Sequence, residues 1–544
     1  MALTNVMEDT DYDRKNFNVD YTAFRHPTWM TDAHTEYHLY RDIVGNLHTH
    51  KTSKGDELRS PRKLSALCIY RLVADHKAIK EISSRVVPSD LYPLMLSEAI
   101  LQRELPSVET LVSTWPSAML NVYDVIPLED YIGSSYLTLP IEGHSNMCLL
   151  DSFILGLLQR KSSSNLKFVD FTRFDKDRKL CRELCRLPLL WMKPEARQVE
   201  DIHDYIRLTI DISKDKVQRY LNRISVIYSD LDPDMVHENK IPEPITILMD
   251  CKMTMDDVPI GLSLQYLSPF RFICNKLCWE TIPEVVLLTQ NVNKVVDPLI
   301  ISHFELEDNQ LSSNKSKQQS FIRGLHTMPN LIALSLPCTL DVTVSPSLVI
   351  KLGKLLRTLK NLRKLNVSYC NLKSHLSTLL EGIRHPMMYL NLRDCRLVES
   401  DLGFLLQWNS LKGLRELNLS RNSMNDYENY CISLLSKMDI VTCFSLSYCS
   451  LTVPSMYKII SECMFSQSLK IISLQSFTPP PWEDIHDLLL SCSQIQSLQK
   501  CIILPESYAF PGNNDSERQG NKRRVVSRCY SYLRTKQRGD IIIE

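Results

Sequence analysis

The chain has 544 residues, of which 44% are hydrophobic and 23% charged, and its 63 basic side chains are balanced by 63 acidic ones. That length exceeds what one compact core organises, so two or three domains or an elongated repeat array are expected. The apolar content excludes wholesale disorder, and the neutral balance excludes an overall field that would draw the chain to nucleic acid or to an anionic membrane.

No apolar signal segment opens the sequence, and no run of about 18 uncharged apolar residues suggests a membrane span. An intracellular protein, cytoplasmic, nuclear or both, is expected. The 17 cysteines are scattered through apolar periodic segments, which reads as reduced, buried small hydrophobes and not as a disulfide framework. Residues 1–58 hold ten acidic and six basic residues and five of the fourteen histidines without an apolar period, the pattern of a disordered N-terminal arm. The "HTEYH" within it has Thr35 where a zinc-protease helix needs Glu.

Residues 59–130 read as a small helical module. In "SPRKLSALCIYRLV" the spacing of Leu64, Cys68 and Leu72 by four puts them on one helix face, with Ile79 and Ile82 continuing the apolar pattern. "VPSDLYPLM" predicts a second helix with Pro88 in its first turn, carrying Leu91, Leu94 and Met95. "PSVETLVSTWP" gives a third between Pro106 and Pro116.

From 131 to 510 the chain reads as a degenerate leucine-rich-repeat solenoid, an α/β horseshoe, clearest over 331–480. The template L-x-x-L-x-L-x-x-N/C-x-L fits segments starting at Leu362, Met387, Leu414, Val441 and Leu469, which are 25, 27, 27 and 28 residues apart. Positions four and six of each segment should enter the core. Position nine, here Cys370, Cys395, Asn422 and Cys449, should stack into an internal ladder. Between strands, Cys431, Leu434, Leu435 and Met438 form the i, i+3, i+4, i+7 stripe of an outer helix. Looser copies start at Leu267, Val296 and Leu331, with "LKFVDFTRF" from Leu166 as an outlying strand. "EDNQLSSNKSKQQ" is expected to be an exposed loop, and residues 180–265 are ambiguous. Residues 511–544 read as a polar basic C-terminal tail, with a terminal helix in its second half.

No catalytic motif is found. Only 14 glycines occur, and the Walker, dinucleotide and nucleophile-elbow patterns are absent. "CRELC" and "CNKLC" each lack the second pair that a zinc site requires, and "EDIHD" reads as a charged first turn of a repeat helix. No cofactor and no metal are expected. What a solenoid offers instead is a long strand face. Arg and Tyr anchor protein interfaces best, so Tyr369, Tyr389, Arg393, Asp394, Arg415, Arg421 and Tyr448 are the candidate client-binding residues.

The order "SPRKLSALCIYRLV", "VPSDLYPLM", "VETLVSTWP", "LLDSFILGLLQRKSSSNLKFVDF" and then repeats ending in "LRELNLSRNSM" resembles the PRAME / leucine-rich repeat-containing protein 14 family over about residues 60–510. The resemblance implies a substrate receptor of a cullin-2 RING ubiquitin ligase, which joins elongin B/C through a BC box and cullin-2 through a cullin box and is not itself an enzyme. The BC-box pattern falls on Leu64, Cys68 and Leu72, and the cullin-box pattern on Val87, Pro88, Leu91 and Met95. Lys63 stands where the BC box usually carries a small residue or Pro. The alternative is an interaction protein that sequesters a factor in nuclear-receptor or NF-κB signalling and represses transcription, as relatives are thought to do. Either way the implied partner is an unidentified client protein, with neither nucleic acid nor membrane.

Overall fold

The computed structural model describes residues 64–83, 87–126, 136–141, 147–160, 165–172, 245–253, 270–279 and 301–306, with Phe174, Leu180, Leu184 and Leu299 between them. It also describes 311–543 except 425–426, 465, 478–479, 506–508 and 513. The expected N-terminal arm, and 185–244 within the ambiguous stretch, lie outside the described residues. The chain divides into two units, Met1–Ile69 and Tyr70–Glu544. Of the first, the described part is the helical stretch 64–69.

Helix α1 spans Leu64–Val73 and α2 spans His76–Ser83. Asp75 Oδ1 starts α2 by accepting from the Lys77 and Ala78 N–H groups at 3.0 and 3.3 Å, donors that have no partner inside a first helical turn. A 3-10 turn, Ser89–Leu91, follows Pro88 and leads into α3, Tyr92–Leu101. Helix α4, Leu105–Ser113, buries Leu105, Val108, Leu111 and Val112. The helix expected from Pro88 therefore starts later, at Tyr92, with Pro93 in its first turn. Pro88 lies ahead of the 3-10 turn.

The sheet begins inside what reads as the helical module. Strand β1, Met119–Asn121, pairs in parallel with β2, Phe168–Phe171. Between them come the short α5, Val122–Val125, and α6, Leu149–Leu158, which is buried along its whole length. Helix α6 packs closely on α4 because residue 156 is glycine: a Cβ there would meet Glu109 O at 2.6 Å.

Next come β3, Ile245–Met253, β4, Phe270–Trp279, and β5, His303–Leu306. From there strand and helix alternate. The strands are β6 Ala333–Ser335, β7 Lys364–Asn366, β8 Tyr389–Asn391, β9 Glu416–Asn418, β10 Cys443–Ser445, β11 Ile471–Ser473 and β12 Lys500–Ile502. Before β6 runs α7 Lys315–His326, and between the later strands run α8 Pro346–Leu356, α9 Leu376–Leu380, α10 Glu399–Gln407, α11 Glu428–Lys437, α12 Val453–Cys463 and α13 Trp482–Ser493. Helix α14, Asp515–Thr535, and β13, Ile542–Ile543, close the array.

Among the described residues the thirteen strands make one sheet in chain order, each parallel to its predecessor. That order, with a helix returning the chain between most neighbouring strands, is the leucine-rich-repeat solenoid expected from the template. Leu365, Leu390, Leu417, Phe444 and Ile472, at position four, are Cα partners across β7 to β11 and fully or almost fully buried. The stripe on α11 is also buried as expected, through Cys431, Leu434, Leu435 and Met438.

Two further expectations need correction. "EDNQLSSNKSKQQ" is not an exposed loop where described: Leu311, Ser312 and Gln318 are buried, and Asn314 caps α7 by accepting from Ser316 and Lys317 N–H. The polar run is a helix start whose amide carries a capping load. The C-terminal segment is not a tail either. Asn514 caps α14, Cys529 and Leu533 bury against the array, and β13 extends the sheet from β12.

Candidate protein-interaction surfaces

The position-nine ladder is built from hydrogen bonds. Cys370 Sγ donates to Leu336 O at 3.2 Å, Cys395 Sγ to Val367 O at 3.1 Å, Asn422 Nδ2 to Leu392 O at 2.8 Å and Cys449 Sγ to Leu419 O at 3.3 Å. In every case the acceptor is the position-six carbonyl of the preceding repeat. Burial pushes the Cys370 and Cys449 thiols up to about 12 and Cys395 well above its ordinary value. Buried, protonated and committed to the ladder hydrogen bonds, these cysteines are structural, and no cluster of three or more metal-ligating side chains occurs among the described residues.

One residue earlier, at position eight, the backbone is left-handed in five successive repeats: Cys338, Tyr369, Asp394, Arg421 and Tyr448 have φ between 53° and 60°. Glycine or asparagine would relieve the crowding of Cβ there. The retained side chains instead join a row at the exit of the strands. The Arg393 guanidinium carbon lies 5.8 Å from the Tyr369 ring centre and that of Arg421 5.5 Å from the Tyr448 ring, distances at which the ring quadrupole attracts the cation. Tyr448 in turn stands 5.1 Å from Phe477, which is exposed.

Of the expected client-binding residues, Arg415 is exposed, while Tyr369, Tyr389, Asp394 and Arg421 are half-buried. Arg393 at 3% and Tyr448 at 4% exposure are packed into the row, so they shape the face more than they cover it. The structure also extends this face to Lys470, one residue ahead of β11, and to Lys500 on β12, which the repeat template does not single out because it is defined by apolar positions.

Charge on the strand face shows in its titratable groups. His303 is held down to about 4, by burial first and then by Lys364 and Lys276. Burial, then Arg363, lowers His385. Tyr389 is raised by burial and then by Glu416, its lateral neighbour.

At the other end, the residues of α1 have mixed exposure. Leu67 and Tyr70 are 44% and 38% exposed and Cys68 is exposed, whereas Leu72 is half-buried and Val73 buried. Leu64 lies within α1, and its side chain is outside the described residues. The C-terminal end of α1 is fixed by Ser107 Oγ and Gln102 Nε2, which donate to Val73 O at 2.7 Å and Tyr70 O at 3.1 Å. Val87 is half-buried and Pro88 and Leu91 are exposed, but Met95 is 2% exposed and belongs to the core of α3. The sequence pattern could not separate Met95 from its neighbours, since an i, i+4 spacing serves core and interface alike.

A leucine-rich-repeat solenoid with a structural interior and a side-chain-rich strand face defines a protein-interaction scaffold. Residues 270–518 match the PRAME C-terminal domain. The chain is 24% identical over 384 residues, 67% of its own length and 72% of the relative's, to leucine-rich repeat-containing protein 14 of Xenopus laevis. Over these spans the chain is similar to the PRAME / leucine-rich repeat-containing protein 14 family. Its role is that of a leucine-rich-repeat interaction protein.

Proposed function

We propose that the chain is the substrate-recognition subunit of a cullin-2 RING ubiquitin ligase, with α1 engaging elongin C, the segment Val87–Leu91 meeting cullin-2, and the strand face holding a client. The observation that carries the reading is the exposure of Leu67, Cys68 and Tyr70 on α1. A helix that keeps large apolar side chains in water suits insertion into a partner's groove, read through anchors at helical spacing. The order of α1, the Val87–Leu91 segment and the solenoid matches what the family resemblance implies for such a receptor.

The mechanism is geometric. Holding a client lysine beside a ubiquitin-charged enzyme converts a bimolecular encounter into a local one, so the receptor contributes position and needs no catalytic group. Co-purification of tagged protein from cells, probed for elongin C and cullin-2, tests it. Wild type should capture both, and Leu67→Asp with Cys68→Asp should lose them while keeping its circular dichroism. Equal capture by the two proteins, or none by wild type, would exclude α1 as the docking helix.

A further inference from the structure

The acidic residues of the repeats are concentrated on the helices. Glu399 and Asp401, Glu428, and Glu483 and Asp484 occupy the first turns of α10, α11 and α13, where the helix dipole favours them. The strand face is left basic. From β7 to β12, Arg363, Arg415 and Lys470 stand at the entry of the strands and Lys364 and Lys500 on the strands themselves. Arg393 and Arg421 stand at the exit, stacked on Tyr369 and Tyr448. Against these seven, the same positions hold two carboxylates, Asp394 and Glu416. This excess arises in a chain whose formal net charge is zero.

The middle of the face adds donors. Asn366, Asn391 and Asn418 are Cα partners across β7, β8 and β9. Their Oδ1 atoms accept from the Ser368, Arg393 and Ser420 N–H groups at 3.1, 3.0 and 3.0 Å. With the amide oxygens so engaged, the row turns N–H groups outward; Asn366 Nδ2 spends one on Ser335 Oγ at 3.0 Å and Asn391 is buried, so the half-buried Asn418 and the second Asn366 N–H are the donors that suit an acceptor-rich ligand.

We propose that the strand face from β7 to β12 is a docking site for an extended, acidic segment of a client protein. This rests on the reading that the strand face holds the client, and it supplies the chemistry by which the client is chosen. Six strands about 4.8 Å apart span about 24 Å, the length of about seven extended residues. Carboxylates along such a segment meet the entry row Arg363, Arg415 and Lys470, while the half-buried Arg421 and the buried Arg393 add their positive field at the exit. A protein segment fits better than a polynucleotide, because Glu416 stands in the middle of the row between Tyr389 and Cys443 and would oppose a continuous line of phosphates.

The test is fluorescence anisotropy on the full chain with a labelled peptide that repeats Glu-Ser-Glu-Tyr, against a peptide repeating Lys-Ser-Lys-Tyr and a uridine oligonucleotide of similar length. The acidic peptide should bind, more weakly as salt rises, and lose at least about tenfold in affinity in Arg415→Glu with Lys470→Glu, two exposed positions whose reversal leaves the core alone. Tighter binding of the oligonucleotide, equal binding of the basic peptide, or indifference to the reversals would overturn the proposal. Elongin C capture by the same variants separates the two readings: the reversals should leave it intact. Failure of capture in wild type with charge-sensitive peptide binding would remove the ligase and keep the acidic client.

Discussion

Asn422 holds the turn of the repeat before its own. Its Nδ2 donates to Leu392 O at 2.8 Å, and its Oδ1 accepts from the Cys395 and Leu397 N–H groups at 3.0 and 3.1 Å. One buried amide thus satisfies three backbone groups of the preceding repeat that water cannot reach, and its Nδ2 also donates to Leu419 O at 2.8 Å in its own turn.

Asn422→Leu should destabilise the protein by about 3 kcal/mol, since each buried backbone group left unpaired costs about 1–3 kcal/mol and the three share one side chain. Asn422→Cys, which keeps one donor as Cys370 and Cys449 do, should lose less. Urea unfolding followed by circular dichroism measures both, and a change under 1 kcal/mol in the leucine variant would contradict the ladder's role.

Two glycines should respond with opposite sign to alanine. In a helix interior this exchange usually stabilises by about 1 kcal/mol. Gly520 in α14 has nothing within 4 Å of its Cβ position, so Gly520→Ala should raise the melting temperature. At Gly353 in α8 the Cβ would overlap Thr378 O, so Gly353→Ala should lower it. Thermal melts of the two variants compare them directly.

His303 makes stability depend on pH. Its folded pKa is near 4, below the ordinary 6.5, so between those values the unfolded chain binds more protons and stability falls as the solution is acidified. The loss from this group is on the order of 3 kcal/mol, at 1.36 kcal/mol per unit, and lies between pH 6.5 and 4. The urea midpoint of His303→Gln should fall less steeply than that of wild type over this window.

Thiol labelling should divide the cysteines. Cys68 and Cys338 are exposed, whereas Cys370, Cys395 and Cys449 are buried and shifted to high pKa. Maleimide mass spectrometry of the native protein should therefore modify the first two and reach the ladder only on unfolding. Saturating elongin B/C should protect Cys68 and leave Cys338 reactive.

The repeat array was legible because its physics is periodic: Leu365, Leu390, Leu417 and Phe444 recur at a spacing that a single sequence displays. The ladder was equally readable, since position nine at Cys370, Cys395, Asn422 and Cys449 is held by two residue types that can donate to a carbonyl. What remained hidden depends on three-dimensional surroundings. Met95 and Leu91 look alike as apolar residues four apart, yet one is core and the other exposed. The start of α7 was masked by its polar cap. The basic character of the strand face emerged only when parallel pairing brought Arg363, Arg415 and Lys470, far apart in the chain, into one row.

Isothermal titration of the purified chain with purified elongin B–elongin C heterodimer is the decisive experiment. Saturable one-to-one binding that Leu67→Asp abolishes, while that variant's thermal melt stays within a few degrees of wild type, is the expected result. No heat of binding with a folded wild-type chain, or binding unchanged in the variant, would contradict a docking role for α1.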